Sequence, residues 1–157
     1  MEEVVEVIEQ NNSKIPGIPP DISKAISGIM ADIKTLKKET RNDFAGYNYA
    51  NIDAFLEAIN PLCAKHGLII ITDEDSCRFE NKWVHISYSF ILSHTSGVTW
   101  NYKLKRNLLG HVQGGQTFGA LQSYAVKQFM RGLFLIPTGE QEPDLDGQKP
   151  DYKKKGK

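Results

Sequence analysis

Apolar residues recur at helical spacing along residues 116–136, the longest segment that has that period and no proline. Phe118, Leu121, Ala125, Phe129, Gly132 and Ile136 fall on one stripe. At about 100° per residue, Ala120, Tyr124, Lys127 and Arg131 gather nearly opposite. The same period at Ile22, Ile26, Ile29, Met30, Ile33 and Leu36 predicts a helix from Asp21 or Ser23, either of which can cap it, to about Lys38. Another helix is predicted from a cap at Asn51 to His66, with Ile52, Phe55, Leu56, Ile59 and Leu62 inward. Pro61 should kink it or start a new turn, and Gly67 suits the left-handed residue past its end.

From residues 83 to 92 the period drops to two. Val84, Ile86, Tyr88, Phe90 and Leu92 share one face, while Trp83, His85, Ser87 and Ser89 lie largely on the other. Residues 94–97 (HTSG) read as a hairpin turn. The return strand is placed at 98–106, with Val98, Trp100, Tyr102 and Leu104 inward and Thr99, Asn101, Lys103 and Lys105 outward. Residues 68–72 read as a short buried strand and 73–75 as a polar turn. Residues 42–50 and 107–115 read as loops, the first aromatic, the second glycine-rich. The fold class expected is α+β: an antiparallel β-β-β meander packed by a long helix, with two helices before it.

Composition marks off the ends. Residues 1–20 carry four Glu against Lys14 and then a stretch with three prolines, which predicts a flexible N-terminal arm. Residues 21–138, taken as one core domain, carry thirteen Lys and Arg against ten Asp and Glu. That excess permits a nucleic-acid partner without requiring one. Residues 139–157, polar and low in complexity, read as a disordered tail. Cys63 and Cys77 have no zinc-type or paired spacing, and no segment resembles a secretory or membrane-spanning stretch, so a soluble cytoplasmic protein is expected.

Candidate chemistry follows from the cations and rings. Lys34, Lys37, Lys38 and Arg41 cluster beside Tyr47 and Tyr49, and Lys103, Lys105 and Arg106 line the return strand. Tyr124, Lys127 and Arg131 stand on the outer strip of the long helix. Rings for stacking and cations for phosphate neutralisation are what single-stranded nucleic acid needs, although solvated outer faces give the same pattern. Helix-dipole compensation accounts for part of the first cluster. The glycines of 107–115 lack a following Lys-Ser/Thr, which excludes a P-loop. A metal-dependent nuclease using Asp73, Glu74, Asp75 and His111 is the competing reading, and a non-enzymatic scaffold acting through the tail is another.

Three separated segments resemble the Erf family, the essential recombination function single-strand annealing proteins of phages and prophages. They are Tyr47-Asn48-Tyr49 after the basic cluster, residues 59–68 (INPLCAKHGL), and the helix at 116–136 with Gln116, Gly119, Ser123-Tyr124-Ala125 and Leu133-Phe134 in place. The helix departs from the family pattern at Val126 and Lys127, where two consecutive arginines are usual, and at Gln128 and Arg131. The resemblance implies a β-β-β-α core like that of eukaryotic annealing recombinases, in a ring- or filament-forming homo-oligomer. It implies annealing of single-stranded DNA in phage-type homologous recombination, without ATP or another cofactor and without enzymatic activity. Val126, Met130 and Leu133 are then candidates for a subunit interface, with burial in the same subunit the alternative. A host single-strand binding protein is the candidate partner of the tail.

Overall fold

A computed structural model of the chain describes residues 15–36 and 52–137, and the backbone of 40–42 and 47–49. Helix α1 spans Pro20–Asp32, strands β1 and β2 span Thr40–Asn42 and Tyr47–Tyr49, and helix α2 spans Ile52–His66. Strands β3 (Leu68–Glu80), β4 (Trp83–His94) and β5 (Leu104–His111) precede helix α3, Gln116–Phe134. The fold is α+β, as the periodicities predict. β3, β4 and β5 form an antiparallel sheet in that order, and β1 pairs with β2 in a separate hairpin.

The core lies between the sheet and the three helices. Val84, Ile86, Tyr88, Phe90 and Leu92 on one face of β4 are buried with Ile22, Ala25 and Ile29 of α1, Phe55 and Ile59 of α2, and Ala125, Phe129, Met130 and Phe134 of α3. The Phe90 and Phe129 rings stack in parallel with centroids 3.9 Å apart. Each fully buried side chain of this size contributes about 1.5–3 kcal/mol of transfer free energy, so α3 is fixed chiefly by its apolar stripe. Asp32 closes the α1–α2 seam, accepting from Lys65 Nζ at 2.7 Å and lying 2.7 Å from His66 Nε2. Those contacts, Lys65 first, hold its carboxyl below the ordinary value.

Several boundaries differ from expectation. α1 ends at Asp32 and Ile33 is already extended, so no basic residue lies in its last turn and the helix-dipole account of Lys34 falls away. Neither Asp21 nor Ser23 caps it: Pro19 is the N-cap, and Ser23 Oγ donates back to the Pro20 carbonyl. Four of the residues predicted as an aromatic loop, 42 and 47–49, belong with Arg41 to the β1–β2 hairpin, in which Arg41 pairs with Asn48. The Asn51 cap lies outside the described residues. α2 runs through Pro61, and Gly67 takes φ 72° as predicted. A Cβ there would run into Thr95 Oγ1 and approach His94 Nε2 to 2.8 Å, so the turn at 94–97 packs directly on this glycine.

The largest correction concerns the sheet. Residues 73–75 form no turn: β3 continues to Glu80, and the reversal falls at Asn81, whose φ is 56°. Beyond Thr72 the residues of β3 are exposed, the Asp75 side chain excepted, so no apolar alternation betrays the strand. The return strand is displaced in the other direction. After the turn only Thr99 bridges to Ser93, while Leu104 already pairs with Phe90. Residues 100–103 therefore oppose only 91 and 92. Trp100 uses that slack to enter the core, its Nε1–H donating to the Pro16 carbonyl at 3.0 Å. The regular strand then occupies 104–111, most of the segment predicted as a glycine-rich loop. Gly110 is there because α3 comes close: a Cβ would stand 2.8 Å from Leu121 Cδ1.

Candidate nucleic-acid interface

Pleat parity divides the cations of β5. Lys105 points to the open face of the sheet, whereas Leu104, Arg106 and Leu108 are half-covered on the helix side. Arg106 carries its guanidinium 5.7 Å from the centre of the Phe129 ring and 3.3 Å from where a Gly132 Cβ would stand. Its Nη1 donates to the Lys105 carbonyl at 2.8 Å. It thus lies along the seam between β5 and α3. Lys103, in the irregular segment before β5, returns to the open face and meets Lys105 over one carboxylate.

That carboxylate is Asp75, missed because the acidic run containing it reads as a turn. Register shifts between Glu74 and Ser76, so Asp75 is the extra residue of a β-bulge. Lys105 Nζ lies 2.5 Å from Asp75 Oδ2, and Lys103 Nζ 3.4 Å from Oδ1. Ser89 Oγ, fully buried, donates to Oδ1 at 3.2 Å. Lys105 foremost, with Lys103 and Ser89 helping, holds this carboxyl below its ordinary value. Asp73 and Glu74, adjacent in a strand, pair with Ser89 and Tyr88 on opposite faces. His111 sits at the far end of β5 against Trp83, ring centroids 5.2 Å apart. Among the described residues no three His, Cys, Asp or Glu side chains are grouped to hold a metal ion.

A second cationic region follows from the helical period of α3. Ala120 and Tyr124 are exposed, Tyr124 to 48 %, and Lys127 and Arg131 are half-exposed beside them. Lys127 Nζ stands 5.7 Å from the Tyr124 ring centre, one turn away. Such a cation–π pair at an exposed site is worth about 0.5–1 kcal/mol, enough to bias the two side chains into one geometry. Of the flank considered for a subunit interface, Met130 is buried, and Val126 and Leu133, half-buried, pack against the core of the same chain. α1 and α2 cover that side of α3.

A family model described as the ERF superfamily matches residues 22–157. The chain belongs to the ERF superfamily. No curated protein matches it. ERF membership implies single-strand annealing in recombination, and annealing proteins of the ERF family are generally not enzymes. Among the described residues, no helix is long and apolar enough to cross a membrane. On this ERF chain the remaining candidates fall at the other end of the sequence. Lys34 is exposed in the extended segment after α1, and Arg41, Tyr47 and Tyr49 stand on β1 and β2. Lys37 and Lys38 lie outside the described residues.

Proposed function

We propose that this chain binds single-stranded DNA and anneals complementary strands without ATP, as a homo-oligomer, in phage-type recombination within a bacterial cytoplasm. The observation that carries this reading is the outer strip of α3, where the half-exposed Tyr124 ring and the Lys127 ammonium lie within cation–π distance. A ring can stack on a base of any identity while cations meet phosphates, which leaves the pairing edges of the bases open to a second strand. Arg131 extends the strip by one turn, and Arg106 borders α3 at its seam with β5. Lys34, Lys37, Lys38, Arg41, Tyr47 and Tyr49 supply a further basic and aromatic set, and Lys103 and Lys105 another on the sheet. Family membership supports the reading. Residues 21–138 form the annealing core in this scheme, and residues 139–157 recruit host proteins such as a single-strand binding protein.

The test is fluorescence-quench annealing of two complementary oligonucleotides without nucleotide. The wild type should accelerate pairing, and Lys127→Ala/Arg131→Ala and Tyr124→Ala should each lose on the order of tenfold. Acceleration by all three proteins would move the site to the sheet or the β1–β2 hairpin. An inactive wild type would sink the proposal.

A further inference from the structure

The two sheet lysines, Lys103 and Lys105, converge on one carboxylate. Their side chains are 50 % and 54 % exposed, yet both ammonium groups turn onto Asp75, whose side chain is only 17 % exposed. The carboxylate is the fixed member of the trio. It sits on a bulge in a paired strand and is held from below by the buried Ser89 hydroxyl, whereas each lysine reaches it on a flexible stem. Two cations around one anion leave one net positive charge where two would otherwise act. A carboxylate between lysines also occupies the place that a backbone phosphate oxygen would take.

We infer that Asp75 is an internal competitor for the DNA backbone, which holds Lys103 and Lys105 together and sets how tightly this patch takes a phosphate. The inference rests on the single-stranded DNA reading proposed above. Asp75 acts through the two lysines rather than by touching DNA. Its function is to keep the grip weak enough for a bound strand to shift register while pairing is sought. Substitution by Asn separates this role from packing, because the amide oxygen still accepts from Ser89 while the charge is gone.

The experiment is fluorescence anisotropy of the full-length chain with a labelled oligothymidylate, over roughly 50–200 mM salt. Four proteins are compared: wild type, Asp75→Asn, Lys103→Ala/Lys105→Ala, and the triple variant. One additional phosphate neutralised would tighten binding about eightfold at the low-salt end and about threefold at the high-salt end, steepening the salt slope by about 0.7. The gain should vanish when both lysines are absent. Asp75→Ser, a second charge-removing variant, must shift the same way, and thermal melting checks that each protein is folded. Unchanged or weaker binding by Asp75→Asn, or an equal gain without the lysines, overturns the inference while wild-type binding upholds the proposed function. If neither wild type nor Asp75→Asn binds the oligonucleotide, both fall. Binding by Asp75→Asn but not by wild type would overturn the proposed function, and with it the inference that Asp75 tunes a strand already bound.

Discussion

Burial on the inner side of α2 pushes the Cys63 thiol up to about 11, because a thiolate there would lose its water without gaining a cation. Cys63 borders the space between α2 and α3 with Leu56, Val126 and Met130, whereas Cys77 is exposed on β3. Only the thiolate attacks an alkylating reagent or a disulfide. At pH 8 the native protein should therefore release one equivalent of thionitrobenzoate quickly, from Cys77, and a second only slowly or after denaturation. Two equally fast thiols would contradict the packing of α2. The exposed strip at Tyr124 and Lys127 was legible from helical spacing, since it depends only on period. What period cannot supply is a partner: Asp75 and Lys105 are thirty positions apart in sequence and meet because register puts Lys105 opposite Ser89.

Elements were legible where one face is buried and obscure where neither is. β4 alternates along most of its length because the helices cover one side of it, and α3 keeps its stripe for the same reason. The outer half of β3 has no covered face, so its polar residues read as a turn although hydrogen bonding to β4 makes them a strand. In β5 the glycine misleads by composition: it usually marks a loop, but in a strand it marks close approach. Gly110→Val tests this at the level of the β5–α3 contact. The added atoms have no room beside Leu121, and overpacking of this kind costs about 1–3 kcal/mol. Chemical denaturation should show the loss with an unchanged slope against denaturant, and Leu121→Ala in the same chain should return part of it. Equal loss in both backgrounds would show that Leu121 does not set the spacing.

For the whole molecule, a linear reading sorts twelve candidate residues into three groups, and the fold redraws the one on the return strand. Lys103 and Lys105 belong to the open sheet face, Arg106 to the β5–α3 seam, and Tyr124, Lys127 and Arg131 to the outer strip of α3. Sequence could name these groups because stacking and charge are properties of residue types. It could not set Arg106 apart from Lys103 and Lys105, because faces depend on pleat parity across a slack segment at 100–103, where Trp100 turns into the core. The division makes a measurable claim. Affinity for single-stranded DNA should fall linearly with the logarithm of salt, by about 0.7 per phosphate neutralised, and be nearly indifferent to base sequence. Removing Lys127 and Arg131 together should flatten that slope by about 1.4, since each charge meets its own phosphate. Tyr124→Ala should weaken binding by about 1–3 kcal/mol and leave the slope in place, because a stacked ring displaces no counterion. Anisotropy titrations at four salt concentrations separate the two effects. A slope unchanged by the double substitution would place the DNA backbone away from α3, and a slope altered by Tyr124→Ala would mean that the ring serves chiefly to position Lys127.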